Sequence, residues 1–232
     1  MLKSERQAHI LRILEEKRFC TVRLLSEILY VAPITIRRDL KEMEQSGFLR
    51  RSHGGAAIQD HKNREVPFAL RDRENNEAKD KIAKRAAALI EDGNTVFLDA
   101  SSTVGHLTLY LEPEQNLTII TNSIRVLEKL KGKKIRCYLT GGMVLENSHA
   151  LVGTLAENTI SSLYADICFF SSQGITEDGI ITDFSEDETR LRKCMIKNAK
   201  KSVFLYDHSK LGKKFMFRVC HADNLFQTIT DT

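Results

Sequence analysis

The sequence predicts an α/β chain in two parts, an N-terminal winged helix-turn-helix followed by a Rossmann-like, mainly parallel α/β domain. Three short helical patterns and a Gly-Gly hairpin occupy the first part, and a polar segment with a proline follows them. Beyond that segment, short apolar runs alternate with helical patterns. These observations predict domains over 1–58 and 75–232, joined by a linker over 59–74.

The overall composition is that of an ordinary globular protein, with 232 residues that are 42% hydrophobic and 28% charged. No apolar run approaches the roughly 20 residues that a membrane helix needs, and the N-terminus lacks an apolar signal core. Five widely spaced cysteines without a Cys-x-x-Cys pair predict reduced thiols. We therefore expect a cytoplasmic protein that binds no membrane, no metal and no cofactor.

Helical periodicity organises the first part of the chain. A first helix is predicted over residues 4–17, and Thr21 is a suitable N-cap for a second helix. The apolar stripe of that second helix comprises Leu24, Leu25, Ile28 and Leu29. A break at 30–32 precedes Pro33, which fits the first position of a third helix that ends near residue 46. Short extended pieces around Gly54-Gly55 then predict a β-hairpin, or wing.

The second part begins with a helical pattern near 76–91, and several short apolar runs after it indicate buried strands. These runs are 95–99, 117–121, 135–140, 166–170 and 202–207. Helical patterns lie between most of them, which indicates a mainly parallel sheet that helices cover on both faces.

The positive charge of the chain is confined to its first part. The formal net charge is +4, and residues 1–57 carry eleven lysines and arginines against seven acidic residues, so the remainder is neutral. A small basic module on a neutral body predicts a polyanionic partner for the module alone.

The third predicted helix has an apolar face and an opposite, basic face. Ile36, Leu40 and Met43 share the face that would pack on the other helices. A recognition helix presents the N-terminal part of its outer face to the major groove. The residues predicted to bind DNA lie on that outer face and on the wing: Ile34, Thr35, Arg37, Arg38, Lys41, Arg50, Arg51, His53, Gly54 and Gly55.

Two kinds of DNA contact are expected from these residues. Arg38 can bond guanine with two hydrogen bonds, and Ile34 can contact a thymine methyl group. Arg37, Lys41 and the wing arginines are better placed for phosphates, which position a protein without reading sequence. A solvated basic helix face is a common alternative, but the succession of caps and the adjacent hairpin favour DNA binding.

Two segments of the first part resemble the helix-turn-helix signature of the DeoR family. They are Thr35-Ile36-Arg37-Arg38-Asp39-Leu40 and Gly47-Phe48-Leu49-Arg50-Arg51-Ser52-His53-Gly54-Gly55-Ala56. The resemblance implies a bacterial transcription regulator that binds double-stranded operator DNA. The family usually has serine before this helix, where this chain has Ala32 and then Pro33. The lost cap costs about 1 kcal/mol, which the fixed φ of proline partly offsets.

Small polar residues follow the strands of the second part. Ligands of open parallel sheets bind beyond the carboxyl ends of the strands, and amides at helix N-termini bind phosphate. The residues predicted to bind such a ligand are Asp99, Ser101, Ser102, Thr103, Thr121, Asn122, Ser123, Gly141, Gly142, Ser171, Gln173, Glu188, Asp207 and Lys210. Lys210 would neutralise a phosphate and Asp207 would accept sugar hydroxyls. Alternatively, Lys210 and Glu188 are ordinary surface residues.

The DeoR resemblance extends over this second part, on the strand-end segments together with Thr140, Gly153, Met195, Ser209 and Gly212. It implies a fold similar to ribose-phosphate isomerases and a phosphorylated sugar as effector. Ser101 stands where many members have glycine. The chain ends at Thr232, where relatives usually continue through another strand, so either this domain is trimmed or the chain is incomplete.

Three functions remain open from the sequence. The first is a repressor that acts as a homo-oligomer, a dimer or tetramer, and leaves its operator when the sugar phosphate binds. An activator of the same architecture is the second. The third is a phosphosugar isomerase or deaminase in which Asp207, Lys210 and Glu188 form an acid–base set. An isomerase needs no basic module, so we favour a regulator without enzymatic activity.

Overall fold

The computed structural model describes residues 3–45, 48–58, 68–72, 74–145 and 148–232. They divide into two units between Leu70 and Arg71. Within the predicted linker, residues 59–67 and 73 lie outside the described residues, and a single helical turn covers Phe68–Arg71. In the described part of the chain, no helix has the length and apolar composition required to cross a membrane.

The N-terminal unit is a winged helix-turn-helix, as predicted. Its described elements are α1 (Lys3–Lys17), β1 (Phe19–Thr21), α2 (Val22–Leu29), α3 (Pro33–Gln45), β2 (Leu49–Ser52) and β3 (Gly55–Ile58). The strands pair antiparallel in the order β1-β3-β2, so the wing contains a strand that was not predicted.

Helix α2 begins and packs largely as its sequence predicts. The Thr21 hydroxyl accepts a hydrogen bond from the Leu24 amide at 3.1 Å, which confirms the N-cap. Leu25 is fully buried, in a core that joins all three helices to the wing. The predicted stripe is wrong at Ile28, which is 41% exposed because a two-turn helix buries only a narrow face.

The C-terminal unit alternates strands and helices. After α4 (Phe68–Arg71), which straddles the division, the described elements are α5 (Asn76–Ala87), β4 (Thr95–Leu98), α6 (Ser102–Leu107), β5 (Thr118–Thr121), α7 (Ile124–Leu130), β6 (Arg136–Leu139), β7 (Met143–Val144), β8 (Leu151–Val152), α8 (Thr154–Ser161), β9 (Ala165–Phe170), β10 (Gly174–Ile175), β11 (Ile180–Asp183), α9 (Glu186–Lys197), β12 (Ala199–Leu205), β13 (Phe217–His221) and β14 (Gln227–Ile229).

Six described strands form a parallel sheet in the order β14-β12-β9-β4-β5-β6, which confirms the predicted mainly parallel α/β fold. The chain starts in the middle at β4, moves outward to β6, and returns beside β4 as β9. The strand order therefore reverses between β4 and β9. Such a switch point opens a crevice at the carboxyl ends of the two strands.

Alternating side chains of the sheet bury two cores. Val96 and Leu98 face the core that contains residues of α5, α6 and α7, whereas Phe97 faces the core formed with α8 and α9. The prediction of a buried strand over 135–140 is wrong, because β6 is an edge strand in which Tyr138 is 53% exposed. Two small antiparallel sheets, β10-β11-β13 and β7-β8, were not predicted.

Candidate nucleic-acid interface and ligand site

Helix α3 presents its basic face to solvent because its apolar face is fully used by the core. Ile36, Leu40 and Met43 are at most 1% exposed. Ile34 is 71% exposed, and the Thr35 side chain is half-buried beside it. Arg37, Arg38 and Lys41 are all exposed. The structure thus brings the predicted residues of this helix onto one accessible surface.

A buried ion pair that the sequence reasoning missed fastens this helix to α1. The Arg6 guanidinium donates from Nε to Asp39 Oδ2 at 2.5 Å and from Nη2 to Asp39 Oδ1 at 3.2 Å. Its hydrogen bonds to Asp39 raise the pKa of Arg6. Asp39 lies three residues after Ile36, on the core face of the helix. An acidic residue in that register was the available signal of a buried partner.

Glu42 holds several polar side chains near the recognition face. It accepts from Lys3 Nζ at 2.5 Å and from Gln7 Nε2 at 3.2 Å. The hydrogen bond from Lys3 lowers the pKa of Glu42. Arg38 Nε lies 3.6 Å from the same carboxylate, and the Arg38 side chain remains 80% exposed. Arg38 is therefore oriented by a weak ion pair that a stronger acceptor can replace.

The wing depends on two adjacent glycines for different reasons. Gly54 has a φ of +80°, which favours glycine, and its carbonyl accepts from the Val22 amide at 2.8 Å. A Cβ on Gly55 would lie 2.3 Å from the Cys20 carbonyl oxygen of β1. Arg50, Arg51 and His53 are exposed around this turn. The glycines thus shape the hairpin, and the neighbouring cations face solvent.

The crevice of the C-terminal unit contains a buried arginine that sequence reasoning missed. Arg192 of α9 donates to Asp99 at 2.8 Å, to Asp183 at 2.8 Å and to Glu188 at 3.0 Å. All four side chains are at most 5% exposed, so Glu188 is not a surface residue. The Glu188–Arg192 spacing of four, which places both on one helix face, was the available signal.

The charges of this cluster shift one another's ionisation. Burial alone would raise the pKa of Asp183, but the Arg192 guanidinium lowers it overall. Burial would likewise lower the pKa of Arg192, and the carboxylates of Asp183, Glu188 and Asp99 raise it instead. The Arg192 guanidinium therefore holds three carboxylates around it, and its positive charge favours the ionised form of Asp183.

Several predicted ligand residues are occupied in holding the strand ends together. Asp99 accepts from the Ser101 amide at 3.0 Å and from the Ser171 amide at 3.3 Å, and so spans the switch point. The Ser101 and Ser123 hydroxyls cap α6 and α7. Thr121 Oγ1 donates to the Leu98 carbonyl at 2.7 Å.

Other predicted residues keep polar groups without partners among the described residues. The amides of Ser102 and Thr103 donate to no carbonyl of α6, because they lie in its first turn. Asn122 Oδ1 and Ser171 Oγ are buried and likewise unpartnered within the described chain. Asp99, Asn122, Glu188 and Arg192 line a common narrow cleft, which has no free volume for a water molecule.

Gly141 and Gly142 are placed differently, after the edge strand β6. Both have positive φ, of +70° and +114°. A Cβ on Gly142 would lie 2.5 Å from the Val152 carbonyl oxygen, which accounts for this glycine by packing. The structure does not bring the glycine pair into the cleft that contains Asp99 and Arg192.

Asp207 and Lys210 lie on a short 3-10 turn that follows β12. Asp207 Oδ1 accepts from both the amide and the hydroxyl of Ser209. Lys210 is half-buried and donates to the Ser172 carbonyl at 2.8 Å. Burial lowers the pKa of Lys210 to about 8. The Ser172 hydroxyl bonds Asp183 at 2.9 Å, which connects this turn to the Arg192 cluster. Gln173 is buried beside Ser172.

Family models match both parts of the chain. The DeoR-like helix-turn-helix domain matches residues 6–62, and the DeoR C terminal sensor domain matches residues 74–232.

Curated relatives align over nearly the whole chain. The HTH-type transcriptional regulator GolR of Listeria innocua is 39% identical, over 100% of this chain and 91% of its own. The HTH-type transcriptional repressor GlcR of Bacillus subtilis is 34% identical, over 100% of this chain and 89% of its own. The glycerol-3-phosphate regulon repressor of Escherichia coli is 30% identical, over 93% and 86%.

Solved structures share the fold at low identity. The translation initiation factor eIF-2B of Pyrococcus horikoshii has a TM-score of 0.55 at 13% identity, covering 99% of this chain and 88% of that one. The eIF2B delta subunit of Chaetomium thermophilum has a TM-score of 0.52 at 15% identity, covering 70% and 58%. These likenesses concern the fold alone.

Proposed function

The chain belongs to the DeoR family of DNA-binding transcription regulators, and from that premise we propose that a phosphorylated sugar releases it from the operator of a sugar-metabolism operon that it represses. One observation carries the proposal. A single chain combines an exposed basic recognition face with a polar crevice at the carboxyl ends of parallel strands.

The names of two relatives support repression as the direction of control. The Bacillus subtilis protein and the Escherichia coli protein described above are both named repressors, and each aligns with more than nine-tenths of this chain. The Escherichia coli protein is named for a regulon of glycerol 3-phosphate, a small phosphorylated polyol. A similar ligand class for this chain is the simplest extension.

Polar groups that follow the strands of the parallel sheet suit the two ends of a sugar phosphate. Lys210 supplies a positive charge, and the Ser102 and Thr103 amides supply donors at a helix start. Asn122 Oδ1 and Ser171 Oγ are buried polar atoms that lack partners in the described chain. Sugar hydroxyls would satisfy such atoms, which are costly when buried without a partner.

The regulator is expected to act in the cytoplasm as a homo-oligomer. Helix-turn-helix proteins commonly bind repeated half-sites through two symmetry-related heads. Sedimentation equilibrium of the full chain would measure the number of subunits. A dimer or tetramer is the expected result, and a protein that remains monomeric on its operator would contradict it.

Binding to the DNA upstream of its own gene provides the test of the proposed function. Fluorescence anisotropy would measure the affinity for this DNA and for a shuffled sequence, each with and without glucose 6-phosphate, ribose 5-phosphate or glycerol 3-phosphate. We expect sequence preference and its loss with at least one phosphorylated compound but not with the unphosphorylated sugar. Equal affinity for both DNAs, or release by none of the compounds, would contradict the proposal.

A further inference from the structure

Asn75 begins α5 in an unusual way. A helix N-cap is normally extended, and its side chain accepts a hydrogen bond from the first turn. Asn75 instead has φ 53° and ψ 37°, in the left-handed region, and makes no capping bond. Its side-chain amide donates to Asp207 Oδ1 at 3.0 Å, across 132 residues of sequence. The start of α5 therefore lacks its usual cap, and the Asn75 side chain instead reaches the turn that contains Asp207 and Lys210.

Lys79 fixes the residues just before this helix. It is 3% exposed, and its ammonium donates to the carbonyls of Arg71 and Glu74, at 2.6 Å in the second case. Burial lowers the pKa of Lys79, and the charge of Asp207 partly opposes that effect. Arg71 is only 8% exposed. The last residues of the predicted linker are thus fastened to α5 by hydrogen bonds from Lys79.

The two oxygens of Asp207 have different surroundings. Oδ1 accepts from Asn75 and from the amide and hydroxyl of Ser209. No hydrogen bond reaches Oδ2 from any residue that the structure describes. A single carboxylate can therefore bind a sugar hydroxyl through Oδ2 while Oδ1 keeps Asn75. A ligand that orders the carboxylate also orders the residue bound to its other oxygen.

We propose that Asp207 couples a bound sugar phosphate to Asn75 and so to the start of α5, where Lys79 holds the backbone of Arg71 and Glu74. This inference rests on the proposed function, because it needs an effector at Asp207. Asparagine adopts left-handed backbone more readily than most residues, and in Asn75 that conformation accompanies a side-chain amide that bonds Asp207 and does not cap α5. Ligand binding tightens these residues and so alters the DNA affinity of the full chain.

The experiment measures a coupling factor, the ratio of DNA affinities without and with saturating ligand. The probes are the three phosphorylated compounds named above, with inorganic phosphate for comparison. Asn75→Gly removes the side-chain amide and keeps a residue suited to positive φ. Asn116→Gly is the matched control, because Asn116 has a similar left-handed backbone, with φ 52° and ψ 36°, while its side-chain amide donates to the nearby Glu114 carbonyl.

We expect a coupling factor of about 5–150 in the natural chain and in Asn116→Gly. Asn75→Gly should lower the coupling factor at least threefold, or to near one where the natural factor is small. The ligand affinity of the DNA-free protein should change by less than about threefold. Asn75→Asp should act likewise, because its carboxylate repels Asp207. Hydrogen exchange at residues 74–79 should slow when ligand is added to the natural chain, and not in Asn75→Gly.

An unchanged coupling factor in Asn75→Gly overturns the inference, as does ligand-independent hydrogen exchange at 74–79 in the natural chain. Loss of ligand binding in proportion to the loss of coupling would make Asn75 a direct ligand contact and also overturn its coupling role. Failure of the proposed function is distinguishable. In that case the natural chain and Asn116→Gly already show no response to any of the phosphorylated probes.

Discussion

Arg38 combines high exposure with a weak anchor. It lies 3.6 Å from Glu42 and is 80% exposed, so it can exchange that carboxylate for a guanine edge without leaving a buried charge unpaired. We expect Arg38→Ala to lower specific binding by about 1–3 kcal/mol and to relax the preference at one base pair. Anisotropy against a set of single-base operator variants would measure both effects.

Arg37 provides the control for this prediction. It is also exposed on α3 but flanks the face that Arg38 occupies, where a phosphate is the expected partner. Arg37→Ala should weaken binding to all operator variants by a similar factor. If Arg38→Ala leaves the base preference as it was, Arg38 does not read sequence.

Lys210, as a proposed phosphate contact, should give the effector response a pH dependence. Its pKa of about 8 reflects burial first and the positive charge of Arg71 next, while Asp207, Asp183 and Lys79 also act on it. Lysine loses its proton as pH rises through its pKa, so the affinity for a sugar phosphate should fall about tenfold from pH 7 to pH 9. Calorimetric titration at each pH would measure this affinity.

Lys210→Arg is the control, because arginine stays protonated over this range. It should remove most of the pH dependence, and an equal decline of affinity in Lys210→Arg would contradict the assignment.

The exposed basic residues could be predicted from sequence, whereas the buried ionic ones could not. Helical periodicity alone separates Arg38 from Ile36. Two partners of Arg192, by contrast, come from the ends of different strands, and one of them, Asp99, is 93 residues away. Asp39 is similarly paired with Arg6 over 33 residues. Local patterns carry no information on which distant groups a fold brings together.

The ion pair between Arg6 and Asp39 joins two elements, helix α1 and helix α3. Asp39 is 2% exposed at its side chain, so Arg6→Ala leaves a carboxylate buried without its partner. We expect this variant to lose about 3 kcal/mol of stability, and Arg6→Met combined with Asp39→Leu to recover most of it. Urea unfolding would measure the free energies.

The exposed ion pair of Arg23 and Glu27 on α2 is the matched control for the Arg6–Asp39 pair. Its side chains are 89% and 60% exposed, and solvent screens their attraction. Arg23→Ala should leave the free energy of unfolding within experimental error. A loss for Arg6→Ala no larger than for Arg23→Ala would show that the buried pair does not stabilise the fold.

Arg192 connects the ends of β4 and β11 to α9, and its removal should make stability depend on pH between pH 7 and pH 5. In the natural chain the pKa of Asp183 is lowered from its ordinary value of 3.8, so its contribution is constant over that range and is lost only at more acidic pH. Arg192→Met leaves three carboxylates together, which raises their pKa values. The melting temperature of Arg192→Met should therefore rise as the pH is lowered from 7 to 5. Arg190→Met, which removes an exposed pair with Glu186, should melt like the natural chain, and a shared pH profile would contradict this account.

At the same scale, long periodic elements were predictable and short, non-local ones were not. The helices and the main strands follow from the periodicity and from apolar runs. Strand β1 has three residues and gains its partner from positions 55–57, so no local pattern reveals it. Strand β6 has the apolar composition of an interior strand but lies at the edge of the sheet. Sheet order, which decides that difference, depends on the whole topology.

At the scale of the whole molecule, charge and ligand chemistry are separated along the chain. The first 57 residues hold the entire excess of +4, and the remainder balances. The two family models divide the chain in a similar way, at residues 62 and 74. Association with DNA should therefore depend on the N-terminal unit, and the proposed effector response should depend on the C-terminal unit.

Salt dependence of operator binding follows from that separation. Each phosphate neutralised by a cation contributes about −0.9 to the slope of log affinity against log salt concentration. Arg37, Lys41, Arg50 and Arg51 are the expected phosphate contacts, so each bound head should contribute a slope of roughly −4. Lys41→Ala should reduce the magnitude by about one per head. Lys84→Ala removes an exposed cation from the C-terminal unit. This variant should leave the slope unchanged, because the chain beyond residue 57 has no net charge with which to attract DNA. Equal slopes for the natural chain and Lys41→Ala would contradict a phosphate contact at α3.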